Sequence, residues 1–168
     1  GRMENTNIEN CYASGHVGGN RNIGGLIGRI SGGTIDGGHG LGVVVGQENS
    51  GGLVGRADNN STIRNSSTDV FTQGGSNVGG LIGYLSGNSL ITESRAFGDV
   101  SGIYSNSVSM GGLVGHCSDT SRIHNSFATG DVKSNGLNYG MVGGLVGLLT
   151  LNSGIENCFA FGDSDGDN

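Results

Sequence analysis

Proline and tryptophan are absent from this 168-residue chain, and charged residues make up only 13% of it. The lack of proline, with glycine that does not recur at every third position, excludes a collagen-like triple helix. Scarce charge argues against a disordered chain, which usually carries a high charge density. The net charge of −6 disfavours nucleic acid as a partner, because nucleic acid requires a basic surface.

Long apolar runs are also missing. No stretch approaches the roughly 20 apolar residues of a membrane span, and the opening residues, GRMENTNIENC, contain no apolar signal-peptide segment. The stretch IENCYASGHV (8–17) already reads as the middle of a repeat. We therefore expect a fragment of a larger protein, with no membrane span in this part.

Glycine is abundant, with 37 residues in a chain where about 7% would be average. Much of it stands in a pentad, GGLIG or GGLVG, that begins at residues 24, 51, 79, 111 and 143. A second motif follows about a dozen residues later, as in IHNSFATGDV (123–132). A period of 27–32 residues without a helical pattern is typical of one turn of a β-solenoid, whose strands stack about 4.8 Å apart.

The repeats predict a single solenoid domain over residues 1–168. The expected units are approximately 8–34, 35–62, 63–90, 91–122, 123–154 and 155–168. The second unit, GGTIDGGHGLGVVVG, lacks most of the polar and alanine positions, and we expect a distorted turn there.

The second motif indicates which side faces inward. Strand alternation places Ser126, Ala128, Gly130 and Val132 on one face. The equivalent positions of the other units are mostly small too, which suits an interior where two sheets pack closely. The opposite face varies, as an outer surface would, and one of its rows reads Tyr12, His39, Ser67, Arg95, Phe127 and Phe159.

The pentad places two apolar residues side by side, which in a straight strand would point to opposite faces. We expect Leu53 and its equivalents to point inward, with the glycines permitting close backbone approach or a bend. A phosphate-binding loop is disfavoured because no helix period follows the pentad. The asparagines at the third place of the second motif are predicted to serve a corner of the solenoid; they are Asn10, Asn65, Asn125 and Asn157.

The repeated GGLVG, followed by a motif of the form IxNS-x-A-x-G-x-V, resembles the GLUG-motif repeat of bacterial surface and secreted proteins. Members of that family include adhesin-like proteins, and the repeats also occur beside IgA-cleaving metallopeptidase domains. The resemblance implies a parallel β-helix and an exported, cell-surface protein. It implies no catalytic residue.

Three aspartates, Asp99, Asp131 and Asp163, recur on the predicted outer face. A solvated structural row is one interpretation; a calcium site or a pair of glycosidase carboxylates are the alternatives. The four histidines lack zinc-ligand spacing, and no HExxH is present. Cys11, Cys117 and Cys158 are predicted to be free, buried thiols, because Cys11 and Cys158 lie five units apart.

Aromatic residues are the candidate binding residues. Tyr12, Phe97, Phe127, Phe159 and Phe161 are predicted on the outer face, where they could stack on a sugar or contact a protein. Alternatively, the stacked rings only stabilise the turns. The longer segments 101–109 and 133–141 are predicted binding loops with Tyr104 and Tyr139 as anchors.

The sequence therefore predicts an all-β, parallel and right-handed β-helix of six glycine-rich turns. We expect a non-catalytic structural or adhesive module, secreted or on a bacterial cell surface, with no cofactor or metal. Its expected partners are a host glycan or protein and neighbouring domains of the same chain. The alternatives are a polysaccharide-cleaving β-helix enzyme that uses the aspartate row, and an accessory region of an IgA-cleaving peptidase.

Overall fold

The computed structural model describes residues 1–103, 108–135 and 140–165, and within these residues every regular element is a β-strand. All strand pairs are parallel, and each turn of the chain contributes strands to two sheets, here called sheet 1 and sheet 2. The predicted parallel β-solenoid of six turns is confirmed.

The first three turns contain seven strands: β1 (Arg2–Glu9), β2 (Tyr12–Gly24), β3 (Ile27–Asp36), β4 (His39–Gly51), β5 (Val54–Arg64), β6 (Ser67–Gly74) and β7 (Val78–Gly79). The fourth turn contains β8 (Ile82–Leu85), β9 (Leu90–Thr92), β10 (Arg95–Ala96), β11 (Val100–Gly102) and β12 (Val108–Gly111). The fifth contains β13 (Val114–Cys117), β14 (Arg122–His124), β15 (Phe127–Ala128), β16 (Val132–Lys133) and β17 (Gly140–Gly143). The sixth contains β18 (Val146–Leu149), β19 (Gly154–Glu156), β20 (Phe159–Ala160) and β21 (Ser164–Asp165). Sheet 1 comprises β1, β3, β5, β8, β9, β13, β14, β18 and β19, and the remaining strands form sheet 2.

The second turn, expected to be distorted, pairs with both of its neighbours along most of its length. Ile35 of this turn lies opposite Ile8 on one side and Ile63 on the other. The register shifts only between Ser31 and Gly33, where β5 has one additional residue. The distortion is therefore confined to one corner.

Both apolar residues of the pentad are buried, as shown by Leu53 and Val54. Gly51 ends β4 in sheet 2, Gly52 and Leu53 form a bend, and Val54 begins β5 in sheet 1. Because the chain changes sheets at the bend, two adjacent side chains both point into the core. The inward position of Leu53 is confirmed, and the bend explains why Val54 is also buried.

The second glycine of the pentad is required by the closeness of adjacent turns. A Cβ atom on Gly80 would overlap the carbonyl oxygen of Gly112 in the next turn. It would also lie 3.0 Å from the Cβ of Ala96 across the interior, which explains the row of small residues predicted from the second motif. The pentad N–H groups bond to the next turn: those of Leu53 and Val54 both donate to the carbonyl of Leu81, at 3.0 and 3.1 Å.

A ladder of buried serines continues this packing. The backbone N–H of Ser66 donates to the hydroxyl of Ser94 (3.2 Å), and that of Ser94 donates to the hydroxyl of Ser126 (3.1 Å). Each hydroxyl in turn donates to the carbonyl two residues earlier, as Ser94 does to Thr92 at 2.8 Å. The ladder satisfies buried polar groups that would otherwise be costly.

The asparagine corner owes its composition to backbone conformation. Asn10, Asn65, Asn125 and Asn157 have φ of 47–53°, and Gly37 takes the same place in the second turn with φ of 69°. Asparagine and glycine adopt this left-handed region most readily. The structural interpretation of these asparagines is thus confirmed.

A polar network crosses the outer face of sheet 1. Asp58 is almost fully buried and accepts hydrogen bonds from Nε of Arg29 (3.0 Å) and Nε of Arg56 (2.7 Å). Burial raises the pKa of Asp58, but the hydrogen bonds from Arg56 and Ser31 and the charges of both arginines lower it more, so its net direction is downward. The ionised carboxylate therefore stabilises the folded state.

The close approach of turns makes Gly80 intolerant of any side chain. We expect Gly80→Ala to lower the free energy of unfolding by about 3 kcal/mol, because backbone must move to accept the Cβ atom. Gly18→Ala is the matched control, since its Cβ would meet only the Val45 carbonyl oxygen at 3.8 Å, and it should change stability by less than about 0.5 kcal/mol. Urea denaturation measures both, and equal midpoints for Gly80→Ala and wild type would contradict the packing model.

Asp58 should contribute stability that depends on pH. At pH 7 we expect Asp58→Asn to destabilise the fold by about 1–3 kcal/mol, since two half-exposed guanidinium groups lose their carboxylate. A lowered pKa in the folded state means that this contribution is complete above the ordinary value of 3.8 and is lost below it. The difference between wild type and variant should therefore shrink as pH falls below about 3.8. Thermal unfolding from pH 7 to 2 tests this, with the exposed Asp69→Asn as control; a constant difference would refute it.

Candidate functional site

Four of the predicted aromatic residues come together on the outer face of sheet 2. Phe127 lies opposite Phe159 in the strand register. Phe97 and Phe161 lie on the same face, in the next outward-facing row, two residues after Arg95 and Phe159 respectively. We call Phe97, Phe127, Phe159 and Phe161 the aromatic patch. Tyr12 is exposed on the same face, but His39, Ser67 and Arg95 separate it from Phe127 in its row, so it is not part of the patch.

The rings of the patch contact one another across three turns. Phe127 and Phe159 stack with centroids 4.8 Å apart and planes 6° apart, while Phe97 meets Phe127 edge-on at 5.9 Å. Phe161 meets Phe159 edge-on at 5.3 Å and is 78% exposed. Phe97 and Phe159 are 43% and 49% exposed. The patch is thus both a stabilising stack, as one interpretation predicted, and an accessible apolar surface.

Other groups on this face frame the patch. The Arg95 guanidinium lies 6.0 Å from the centre of the Phe97 ring. Leu41 and Phe71, which were not among the predicted binding residues, are also exposed there, in earlier turns. Phe71 could have been found from TDVFT, in which exposed Asp69 and Phe71 alternate with buried Val70 and Thr72, whereas the consecutive valines of LGVVVG give no alternation that identifies Leu41.

The aspartate row lies beside the patch and is tied into the backbone. Oδ1 of Asp99 accepts the backbone N–H of Asp131 at 2.9 Å, and Oδ1 of Asp131 accepts that of Asp163 at 3.0 Å. The hydrogen bond from Asp163 is the main reason that the pKa of Asp131 is lowered, and Lys133, 3.3 Å from the carboxylate, adds to it. These contacts support the structural interpretation of the row.

No cluster of three or more histidine, cysteine, aspartate or glutamate side chains suited to a metal ion occurs among the described residues. His116 packs edge-on against Tyr84 at 5.0 Å, and burial lowers its pKa although Asp119 opposes this. The three cysteines are free, as predicted. Burial raises the pKa of Cys117 to about 11, so that its thiol stays protonated at neutral pH, whereas Cys11 and Cys158, in the terminal turns, are only half-buried.

The structure contains an open pocket on the outer face of sheet 1 that the sequence did not predict. Its volume is about 410 Å³, and it lies between the corner of turns three and four and strand β14. Residues that line it include Asn60, Thr62, Asn88, Leu90, Arg122 and His124. None of these was singled out as a pocket residue, because they come from three turns in which the row changes residue type at each step.

Two predicted anchors, Tyr104 and Tyr139, lie outside the described residues, as do the central parts of the two longer segments. For the part of the chain that the structure covers, no helix is long and apolar enough to cross a membrane.

Comparison with known families agrees with the repeat geometry. A family model described as the GLUG motif matches residues 46–72, 74–101, 106–133 and 138–164, and each match joins one pentad to the second motif that follows it. No curated protein and no solved structure matches the chain. The matched segments together make up more than half of the sequence, and the first two turns continue the same strand registers. The chain belongs to the GLUG-motif family, and it is a β-solenoid repeat module of that family.

Proposed function

We propose that the chain is a non-catalytic structural module of an exported, cell-surface adhesive protein, and that the aromatic patch is its glycan-binding face. The observation that carries the proposal is an exposed aromatic patch, Phe97 to Phe161, lying directly beside a row of carboxylates on a rigid sheet.

The chemistry of this face suits a saccharide. Sugars present apolar C–H faces that pack on aromatic rings, and hydroxyl groups that donate to carboxylates. Phe159 and Phe161 offer accessible ring surface. The Asp163 carboxylate, and the Asp131 carboxylate with its ion-pair partner Lys133, supply hydrogen-bonding groups on the strands that follow the patch.

The regularity of the solenoid supports a role in presenting a ligand-binding surface. Each turn hydrogen-bonds to the next through the backbone, so the outer side chains are held at fixed spacing of about 4.8 Å. A binding face built on rigid strands loses little freedom when a ligand binds. Neighbouring domains of the same chain and a host glycan are the partners that this role requires.

An enzyme that cleaves polysaccharide with the aspartate row has weaker support. A general acid needs a carboxyl whose pKa is raised, whereas the pKa of Asp131 is lowered. Oδ1 of Asp99 and Oδ1 of Asp131 are already engaged by backbone N–H groups of the next turn. We therefore propose a binding role without turnover.

A glycan-array screen on the purified chain, followed by calorimetry on the glycans that bind, tests the proposal. We expect Phe159→Ala and Phe161→Ala to weaken binding about tenfold or more, which corresponds to about 1.4 kcal/mol. Tyr12→Ala is the matched control, since Tyr12 is 60% exposed on the same face but lies three turns before Phe97, outside the patch. Thermal unfolding should show Phe161→Ala folded as wild type, because that ring is mostly in solvent.

The same assay separates the alternatives. Release of reducing ends from the bound glycan, abolished in Asp131→Asn, would replace the proposal with an enzyme. Absence of binding to every glycan on the array would contradict the glycan assignment, and binding that Phe159→Ala leaves intact would contradict the patch. Antibody labelling of intact source cells checks the surface location.

A further inference from the structure

The pocket on sheet 1 lies on the opposite face of the solenoid from the aromatic patch and is built independently of it. Its volume of about 410 Å³ falls in the range of small-ligand sites, about 300–1,000 Å³. The register explains its walls: Thr62, Leu90 and Arg122 occupy one row in turns three, four and five. A short side chain, an apolar one and a long cationic one therefore stand next to one another.

Arg122 is held in place by the backbone through only part of its guanidinium group. One terminal nitrogen donates to the carbonyls of Thr120 (2.8 Å), Ser121 (3.1 Å) and Asn152 (2.7 Å). In the described part of the chain, Nε and the second terminal nitrogen have no hydrogen-bond acceptor, and no carboxylate lies within 4.0 Å of this arginine. The pocket thus contains a positioned cation without a counter-ion.

Five of the other six arginines pair with a carboxylate, and the sixth, Arg95, lies against the Phe97 ring. Arg29 and Arg56 share Asp58, Arg64 pairs with Asp36, and Arg21 pairs with Glu48. Arg122 differs from all of these in lining an open pocket. An arginine in that setting is suited to bidentate recognition of an external carboxylate.

The remaining walls supply neutral hydrogen-bonding groups and one apolar surface. Nδ2 of Asn88 donates to Oδ1 of Asn60 at 2.8 Å, and this leaves the amide nitrogen of Asn60 and the amide oxygen of Asn88 to face a ligand. The Thr62 hydroxyl and the His124 ring add further polar atoms, although Nδ1 of His124 also faces the Glu156 carboxylate at 3.8 Å. Leu90 forms the apolar wall.

We propose that this pocket binds a carboxylate-bearing sugar, such as a uronic acid unit of an acidic saccharide. The carboxylate binds the free N–H groups of Arg122, the hydroxyls bond to the Asn60 and Asn88 amides, and the C–H face of the ring packs on Leu90. An inorganic anion would use the arginine alone and would leave the amides and the leucine without a partner. The site shares no residue with the aromatic patch, so the two assignments stand or fall separately.

Calorimetric titration of the whole chain with a short galacturonic acid oligosaccharide tests the proposal. The fully methyl-esterified oligosaccharide and sodium sulfate are the comparison ligands. We expect the acid form to bind at least tenfold more tightly than the ester, and sulfate at the same concentration not to displace it. Equal affinity for acid and ester, or full displacement by sulfate, would overturn the sugar-acid assignment.

Two variants test whether the ligand binds in the pocket. Arg122→Gln removes the charge but also three carbonyl contacts, so a second variant, Leu90→Asp, keeps Arg122 and sets a carboxylate opposite it in the strand register. Both should weaken binding at least tenfold. Thr34→Asp is the control: it adds the same charge to the same row, two turns before Leu90 and outside the pocket. This variant should bind the ligand as tightly as wild type.

The variants also make the outcome decisive. If Leu90→Asp folds as wild type by circular dichroism and binds the acid sugar unchanged, the pocket is not the site. If Thr34→Asp weakens binding as much as Leu90→Asp, the effect is general repulsion and the assignment is wrong. Phe161→Ala should leave this binding unchanged, and a loss there would move the ligand to the aromatic patch.

Discussion

Adjacent turns of this protein are joined where the pentad N–H groups donate to the carbonyls of the next turn, as those of Leu53 and Val54 do to Leu81. This contact sets the distance between backbones and leaves no room for a Cβ atom on Gly80. Where the two sheets converge, the opposing side chain must also be small, which is why Ala96 faces that glycine. Away from the pentad the sheets leave room for larger residues such as Ile63 and Leu85. The glycine content is thus a consequence of stacking, not of flexibility.

Stacking also restricts where function can arise. Inside the solenoid the equivalent positions of successive turns hold small or apolar residues, as in the row Ile35, Ile63, Ile91 and Ile123. The buried ladder of Ser66, Ser94 and Ser126 satisfies its own hydrogen-bonding groups. The backbone hydrogen bonds between turns do not depend on the outer side chains, so these side chains vary without loss of the fold. The GLUG-motif repeat therefore specifies a scaffold, and the activity of a member must be read from its outer rows.

Much of the fold follows from the spacing of the repeats. The period follows from the spacing of the pentads, and the small inner row of Ala128 and Gly130 follows from strand alternation. The inward leucine of the pentad was expected too, although alternation alone does not distinguish it from its neighbour. The burial of Val54 could not be assigned from alternation, because it depends on a bend between sheets. The pocket was missed for a different reason: it depends on side chains of three turns and on the position of Arg122, whose guanidinium donates to the Asn152 carbonyl of the next turn as well as to the local carbonyls of Thr120 and Ser121. No local pattern encodes the contact with Asn152.

A solenoid whose rows repeat identically offers only grooves and stripes, so a site for one defined ligand requires neighbours that differ. The row from Thr62 through Leu90 to Arg122 has that property: each step changes size and charge, and a cavity opens where the long side chain is held to one side. The stack of Phe127 on Phe159 is the opposite case, in which like residues reinforce the turns and extend an apolar stripe. The stripe suits the repeating surface of a long glycan, whereas the pocket suits a single charged unit. One scaffold can carry both, because the two sheets pack on each other around the buried core and their outer faces belong to different sheets.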